Sequence, residues 1–221
     1  YHIGRAFGLS KHLSMLVACG NSICGNSAIA ATAPVIDARS DDVAASISFT
    51  AVLGVLFVFV LPMLHAGLGL SATQYGIFSG LTVYAVPQVL AATAPAGALA
   101  VQVGTLVKLI RVLMLGPVIF TLAVLGGRAR ETRLPIAQVV PWFIIGFIAM
   151  MAARSFGVLP EFALGTMKTV SSFLTILAMA ALGLSVDIRN VMHVGGRVVM
   201  AALLSLIFLC VLSGVVLVIL A

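Results

Sequence analysis

Two Gly-Asn-Ser triplets, Gly20-Asn21-Ser22 and Gly25-Asn26-Ser27, stand five residues apart inside an otherwise apolar run. Hydrocarbon offers no water to an opened backbone, so non-helical chain at membrane depth persists only where protein or a water-filled cavity satisfies it. Gly and Asn interrupt helices readily. A break here exposes the N-terminus of a half-helix over about 27–36, where free N–H groups and the positive end of the helix dipole favour an anion. Asn21, Ser22, Gly25, Asn26 and Ser27 are therefore the first candidates for a substrate site. The competing reading is close helix packing, since small residues let helices approach and Ser or Asn can bond across the contact.

A second polar interruption, Tyr84-Ala85-Val86-Pro87-Gln88, puts Pro87 inside an apolar segment. Proline removes one backbone hydrogen bond and frees a carbonyl, which makes Tyr84 and Gln88 polar groups at depth. A plain proline kink is the alternative. Lys108 and Arg111 follow, three residues apart and so on one helix face. Intramembrane cations are costly unless paired or hydrated and are functional candidates by default; for a transported anion they are the countercharges. Lys108 could instead snorkel to the interface. Asp187, beside Arg189, reads as a segment-end ion pair, and Asp37, Asp41 and Asp42 read as caps of a helix starting near Val43.

No catalytic constellation accompanies these groups in the sequence. The four His, at 2, 12, 65 and 193, show no i, i+4 pairing, and Cys19 and Cys24 lack a second pair for zinc. No Gly-x-Ser-x-Gly elbow occurs. The expectation is a protein that is not an enzyme and needs no metal or cofactor.

The elements that must position these residues follow from composition. Of 221 residues, 62% are hydrophobic and 8% charged, against about 25% charged in an ordinary soluble domain. Between Asp42 and Lys108 lie 65 residues without Asp, Glu, Lys or Arg, and one spanning helix needs only about 20. The sequence thus predicts an all-α polytopic membrane protein. Seven segments are expected, over about 13–36, 43–64, 73–96, 105–125, 134–153, 169–186 and 198–220, two of them broken or re-entrant. They form a single transmembrane domain over 1–221. The net charge of +6 is distributed between apolar runs, unlike the one-faced patch of a nucleic-acid binder. The three Cys lie in apolar surroundings and imply no disulfide framework.

If every segment spans, Arg5, Lys11, Arg128, Arg130, Arg133, Arg189 and Arg197 share one side, against Arg39, Arg154 and Lys168 on the other. The first side is then cytoplasmic and the C-terminus outside. Ala30-Ala31-Thr32-Ala33-Pro34 recurs as Ala91-Ala92-Thr93-Ala94-Pro95, each time between a broken segment and a long apolar one, which suggests repeat units over about 19–64 and 80–125. Secondary transporters are often built from such repeats. Re-entrant breaks would invert the second unit relative to the first, and spanning ones would not. Charge counting does not decide, because re-entry moves only Arg39 in the tally.

The run Ser22-Ile23-Cys24-Gly25-Asn26-Ser27-Ala28-Ile29-Ala30-Ala31 followed by Ala33-Pro34-Val35-Ile36 resembles the signature of the YeiH-like family of bacterial inner-membrane proteins. Leu106-Val107-Lys108-Leu109-Ile110-Arg111-Val112, Pro141-Trp142-Phe143 and Ala178-Met179-Ala180-Ala181-Leu182-Gly183-Leu184-Ser185-Val186-Asp187 match in the same order. The resemblance implies sulfate export and a fold of about ten helices, similar to the bile-acid and sodium symporters with crossing broken helices. It covers the C-terminal two-thirds of such a fold. With Tyr1 opening the chain and no signal peptide pattern, a fragment lacking N-terminal helices is expected. Where the family pattern has a His-Glu pair, this chain has Tyr84-Ala85, so carboxylate-based coupling does not carry over.

The expected function is a secondary transporter of a small anion, sulfate or an organosulfonate, exported across the inner membrane. Its partners would be that anion, the lipid bilayer, a coupling ion (proton or sodium) and a second copy in a homo-oligomer. The alternatives are a sodium-coupled organic-solute symporter and a non-transporting membrane subunit.

Overall fold

Two short non-helical stretches, at residues 23–25 and 83–85, divide apolar segments into half-helices, and the rest of the architecture is arranged around them. The computed structural model of the chain describes residues 1–125, 142–158, 160–184 and 196–220. In chain order the helices are α1 (His2–Ala6), α2 (Lys11–Ser22), α3 (Asn26–Thr32), α4 (Ser40–Leu68), α5 (Ala72–Thr82), α6 (Val86–Thr93), α7 (Ala98–Leu113), α8 (Leu115–Leu125), α9 (Trp142–Ser155), α10 (Glu161–Leu184) and α11 (Gly196–Leu220), with a 3₁₀ turn at Ala94–Ala96. Among the described residues there is no strand.

Local chemistry sets the helix ends. The Ser10 hydroxyl accepts from the Leu13 N–H at 3.0 Å, and Ser71 and Gln74 form a reciprocal capping box at the start of α5. Asp41 and Asp42 lie in the first turn of α4, with Arg39 at the N-cap. They act there as charges at the positive end of the helix dipole rather than as caps.

Three stretches are long and apolar enough to cross a bilayer: Ser40–Leu68, Ala98–Leu125 and Gly196–Ile219, of 29, 28 and 24 residues. At 1.5 Å per residue each exceeds the roughly 30 Å hydrocarbon thickness. Their outer faces carry large exposed apolar side chains, such as Phe59 and Met63 on α4 and Phe208 and Val218 on α11, as lipid contact requires. The chain is a multi-pass membrane protein.

The segment expected over 105–125 begins earlier, at Ala98, and that expected over 169–186 begins at Glu161 and runs through the exposed Lys168. Neither Gly104, inside α7, nor the exposed Lys168, inside α10, ends its helix, so segmentation by glycine and by charge cut both short. Residues 134–141 and 185–186 of the expected segments, with Pro141, Asp187, Arg189 and His193, lie outside the described residues.

Both broken segments fold back on themselves. A Cβ on Gly20 of α2 would stand 3.0 Å from Ile29 Cδ1 of α3, and the Tyr75 hydroxyl of α5 donates to Ala92 O of α6 at 2.8 Å. Along a straight helix the 17 residues from Tyr75 to Ala92 would span about 25 Å, so α6 returns beside α5. Close packing of α5 on α7 holds the second break: a Cβ on Gly80 would lie 2.6 Å from Gly104 O, and one on Gly76 2.8 Å from Ala100 O. Tyr75, Phe78, Val83, Val89, Ala92 and Ala100 form the core there, with Leu61 and Leu217. A second core, including Ile23, Ala28, Leu109, Val112 and Ile119, joins the first break to α7 and α8.

Candidate functional site

A helix leaves its last carbonyls without intrahelical partners, and two such ends meet at the breaks. In α2 and the residue after it, Cys19 O accepts from Ile23 N at 3.1 Å and Gly20 O from Gly25 N at 2.9 Å. Asn21 O accepts from Arg111 Nη2 at 2.7 Å, Ser22 O from Arg111 Nε at 3.0 Å, and Ile23 O from Lys108 Nζ at 2.5 Å. In α5 and beyond, Ser79 O accepts from Val83 N at 3.0 Å. Gly80 O and Leu81 O accept from Arg111 Nη1, the former at 3.2 Å, and Val83 O accepts from Lys108 Nζ at 2.7 Å.

Lys108 and Arg111 therefore tie the two breaks together from one face of α7. Their positive charges stand at the negative ends of two helix dipoles, and charge-assisted bonds to the carbonyls offset their burial. Lys108 is fully buried, which sets aside the snorkelling alternative.

Conformation at the breaks follows from residue type. Gly25 has φ +69°, and a Cβ on it would meet Tyr84 Cβ at 3.1 Å; only glycine fits both the left-handed backbone and the close approach. Pro87 lies in the first turn of α6 rather than inside a continuous helix. Its missing N–H costs nothing there, so the second interruption is a break, not a kink.

The remaining candidates separate into two groups. Asn21 accepts from the Tyr84 hydroxyl at 2.9 Å and donates to Ala202 O of α11 at 3.0 Å. Gln88 accepts from Ala85 N at 3.1 Å and lies over Gly54 of α4, where a Cβ would be 2.6 Å from its Nε2. Asn26 accepts from the Thr50 hydroxyl. These side chains hold the breaks to α4 and α11. Ser22 contributes its carbonyl to Arg111.

Ser27 and Lys108, by contrast, line a cavity of 430 Å³ with Cys24, Ala85, Val86, Pro87, Thr105, Leu109, Val112 and Leu115. The cavity is bounded by the starts of α3 and α6 and by the flank of α7. Among the described residues no carboxylate lines it, so Lys108 gives that lining a positive character.

Sequence reasoning missed Thr50, Gly54 and the glycines between α5 and α7. The Gly76-x-x-x-Gly80 spacing inside an apolar run was the available signal for close helix approach. Thr50 carried none, because its partner Asn26 becomes a neighbour only through the fold-back.

Comparison with known proteins follows this geometry. The family model described as Conserved hypothetical protein 698 matches residues 1–202. A UPF0324 membrane protein of Agrobacterium fabrum is 65% identical over 213 residues, covering 96% of this chain and 61% of its own length. A UPF0324 membrane protein of Brucella suis is 62% identical, covering 96% and 64%. One of Bacillus cereus is 38% identical, covering 97% and 62%. The chain thus spans about three-fifths of the length of these curated relatives. No solved structure matches it.

Proposed function

The chain belongs to the family described as Conserved hypothetical protein 698, the YeiH-like family that its motifs resemble, and from that premise we propose that it carries the substrate pathway of a secondary transporter of a small anion. The carrying observation is the polarity of the crossing. Negative helix ends at Ser22–Ile23 and Thr82–Val83 face Lys108 and Arg111, whereas the start of α6, Ser27 and Lys108 border a cavity with no carboxylate among the described residues. An anion is the missing counterpart.

On this reading each fold-back is a re-entrant hairpin followed by a long helix: α2–α3 with α4, and α5–α6 with α7–α8. The two units are then of inverted topology, the arrangement that lets one bundle rock against another around a midplane site. Seven membrane segments, within a larger bile-acid-symporter-like fold, accommodate this arrangement. The cargo is sulfate or an organosulfonate, exported across the inner membrane and coupled to a proton or sodium gradient.

A sodium site built from freed carbonyls is the second reading. It is disfavoured because Lys108 and Arg111 already occupy those carbonyls.

The test is flux of labelled sulfate and methanesulfonate in proteoliposomes, with and without pH and sodium gradients. Ser27→Leu fills the cavity without touching a bond at the breaks. It should lower flux at least tenfold at an unchanged melting temperature. Equal flux in wild type and Ser27→Leu would refute the site.

A further inference from the structure

We propose that the cavity beside Lys108 selects organic monoanions bearing an apolar tail over the inorganic sulfate dianion, an inference that rests on the anion-site reading above and narrows its substrate class.

Donor supply is the first argument. Arg111 is committed to carbonyls at both breaks and is not among the lining residues. Lys108 has three N–H donors, of which two are held by Ile23 O and Val83 O. The Thr105 hydroxyl donates to Val101 O at 2.7 Å. What the lining itself offers is the Ser27 hydroxyl and the weak Cys24 thiol donor, while the fully buried Lys108 contributes its positive charge. One positive side chain neutralises one negative charge; a dianion would leave a second charge unpaired at depth, which is strongly unfavourable. Four sulfate oxygens would also exceed the available donors.

The second argument is the rest of the wall. Ala85, Val86, Pro87, Leu109, Val112 and Leu115 offer no polar side-chain atom, and such a surface is useful only to an apolar group. The volume of 430 Å³ is far more than one oxyanion occupies. Moreover, Pro87 also lines an adjoining apolar cavity of 510 Å³ along α10, with Val170 and Leu174. A tail that reaches Pro87 therefore meets further apolar side chains beyond it, while the head stays beside Ser27.

The test is equilibrium binding to the purified protein in nanodiscs, with sulfate and the series from methanesulfonate to hexanesulfonate. Affinity should rise roughly two- to fourfold per added methylene, and butanesulfonate should bind at least tenfold more tightly than sulfate. Val86→Phe, or Ala85→Leu if that variant does not fold, occupies the tail region and should flatten the series while methanesulfonate still binds. An unchanged slope in the folded variant means partition into lipid and overturns the proposal. Sulfate binding as tightly as butanesulfonate also overturns it, yet leaves the anion site standing. Binding of no anion at all overturns both.

Discussion

Replacing Lys108 by Met keeps the length and apolar stem of the side chain and removes the ammonium that joins the two breaks. Ile23 O and Val83 O, now 2.5 and 2.7 Å from Nζ, would lose their donor at a buried position. Each orphaned buried carbonyl costs about 1–3 kcal/mol, so the gross loss is about 2–6 kcal/mol. Part of this is returned, because a buried cation no longer has to be desolvated and no longer stands beside Arg111. A net loss of about 2–3 kcal/mol is expected, toward the lower end of that range. For a chain of this size that corresponds to a fall in melting temperature of roughly 4–12 °C. The assay is thermal unfolding of the purified protein read by a fluorogenic thiol dye, whose labelling of the buried Cys19 adds to that of the half-buried Cys210 when the core opens. Lys11→Met, at the exposed start of α2, serves as the control and should melt as wild type does. A shift below about 1 °C for Lys108→Met would refute the claim that this ammonium satisfies both half-helix ends.

Two further perturbations separate the packing from the polar network. Gly80→Ala places a Cβ 2.6 Å from Gly104 O, backbone against backbone, and should lower the melting temperature by several degrees, roughly the 1–3 kcal/mol of an overpacked core; Gly67→Ala, with open space around it, should not, and equal melting of the two variants would contradict the close α5–α7 contact. Tyr84→Phe removes the 2.9 Å bond to Asn21 Oδ1 and should cost about 1–2 kcal/mol of stability while anion flux persists, because the hydroxyl does not line the cavity; loss of flux at an unchanged melting temperature would make Tyr84 part of the transport pathway instead.

Composition and spacing were enough to establish the class of this protein and to point at the residues of interest. With 8% charged residues there is no soluble alternative to a helical membrane protein, and hydrocarbon makes any polar interruption conspicuous. The Gly-Asn-Ser triplets, Pro87, Lys108 and Arg111 were legible for that reason, and the family motifs ran through the same positions. The partners of those residues were not legible. Lys108 meets Ile23 and Val83, 85 and 25 residues away, and no local period encodes a contact of that separation. Whether the broken segments cross or return was equally hidden, since the loops that would move carry almost no charge for the positive-inside bias to act on. The fold-back of both segments comes from tertiary packing, through glycines that let α5 approach α7 and through carbonyls that needed donors. Having nowhere else to turn in an apolar interior, those carbonyls drew both cations onto the backbone.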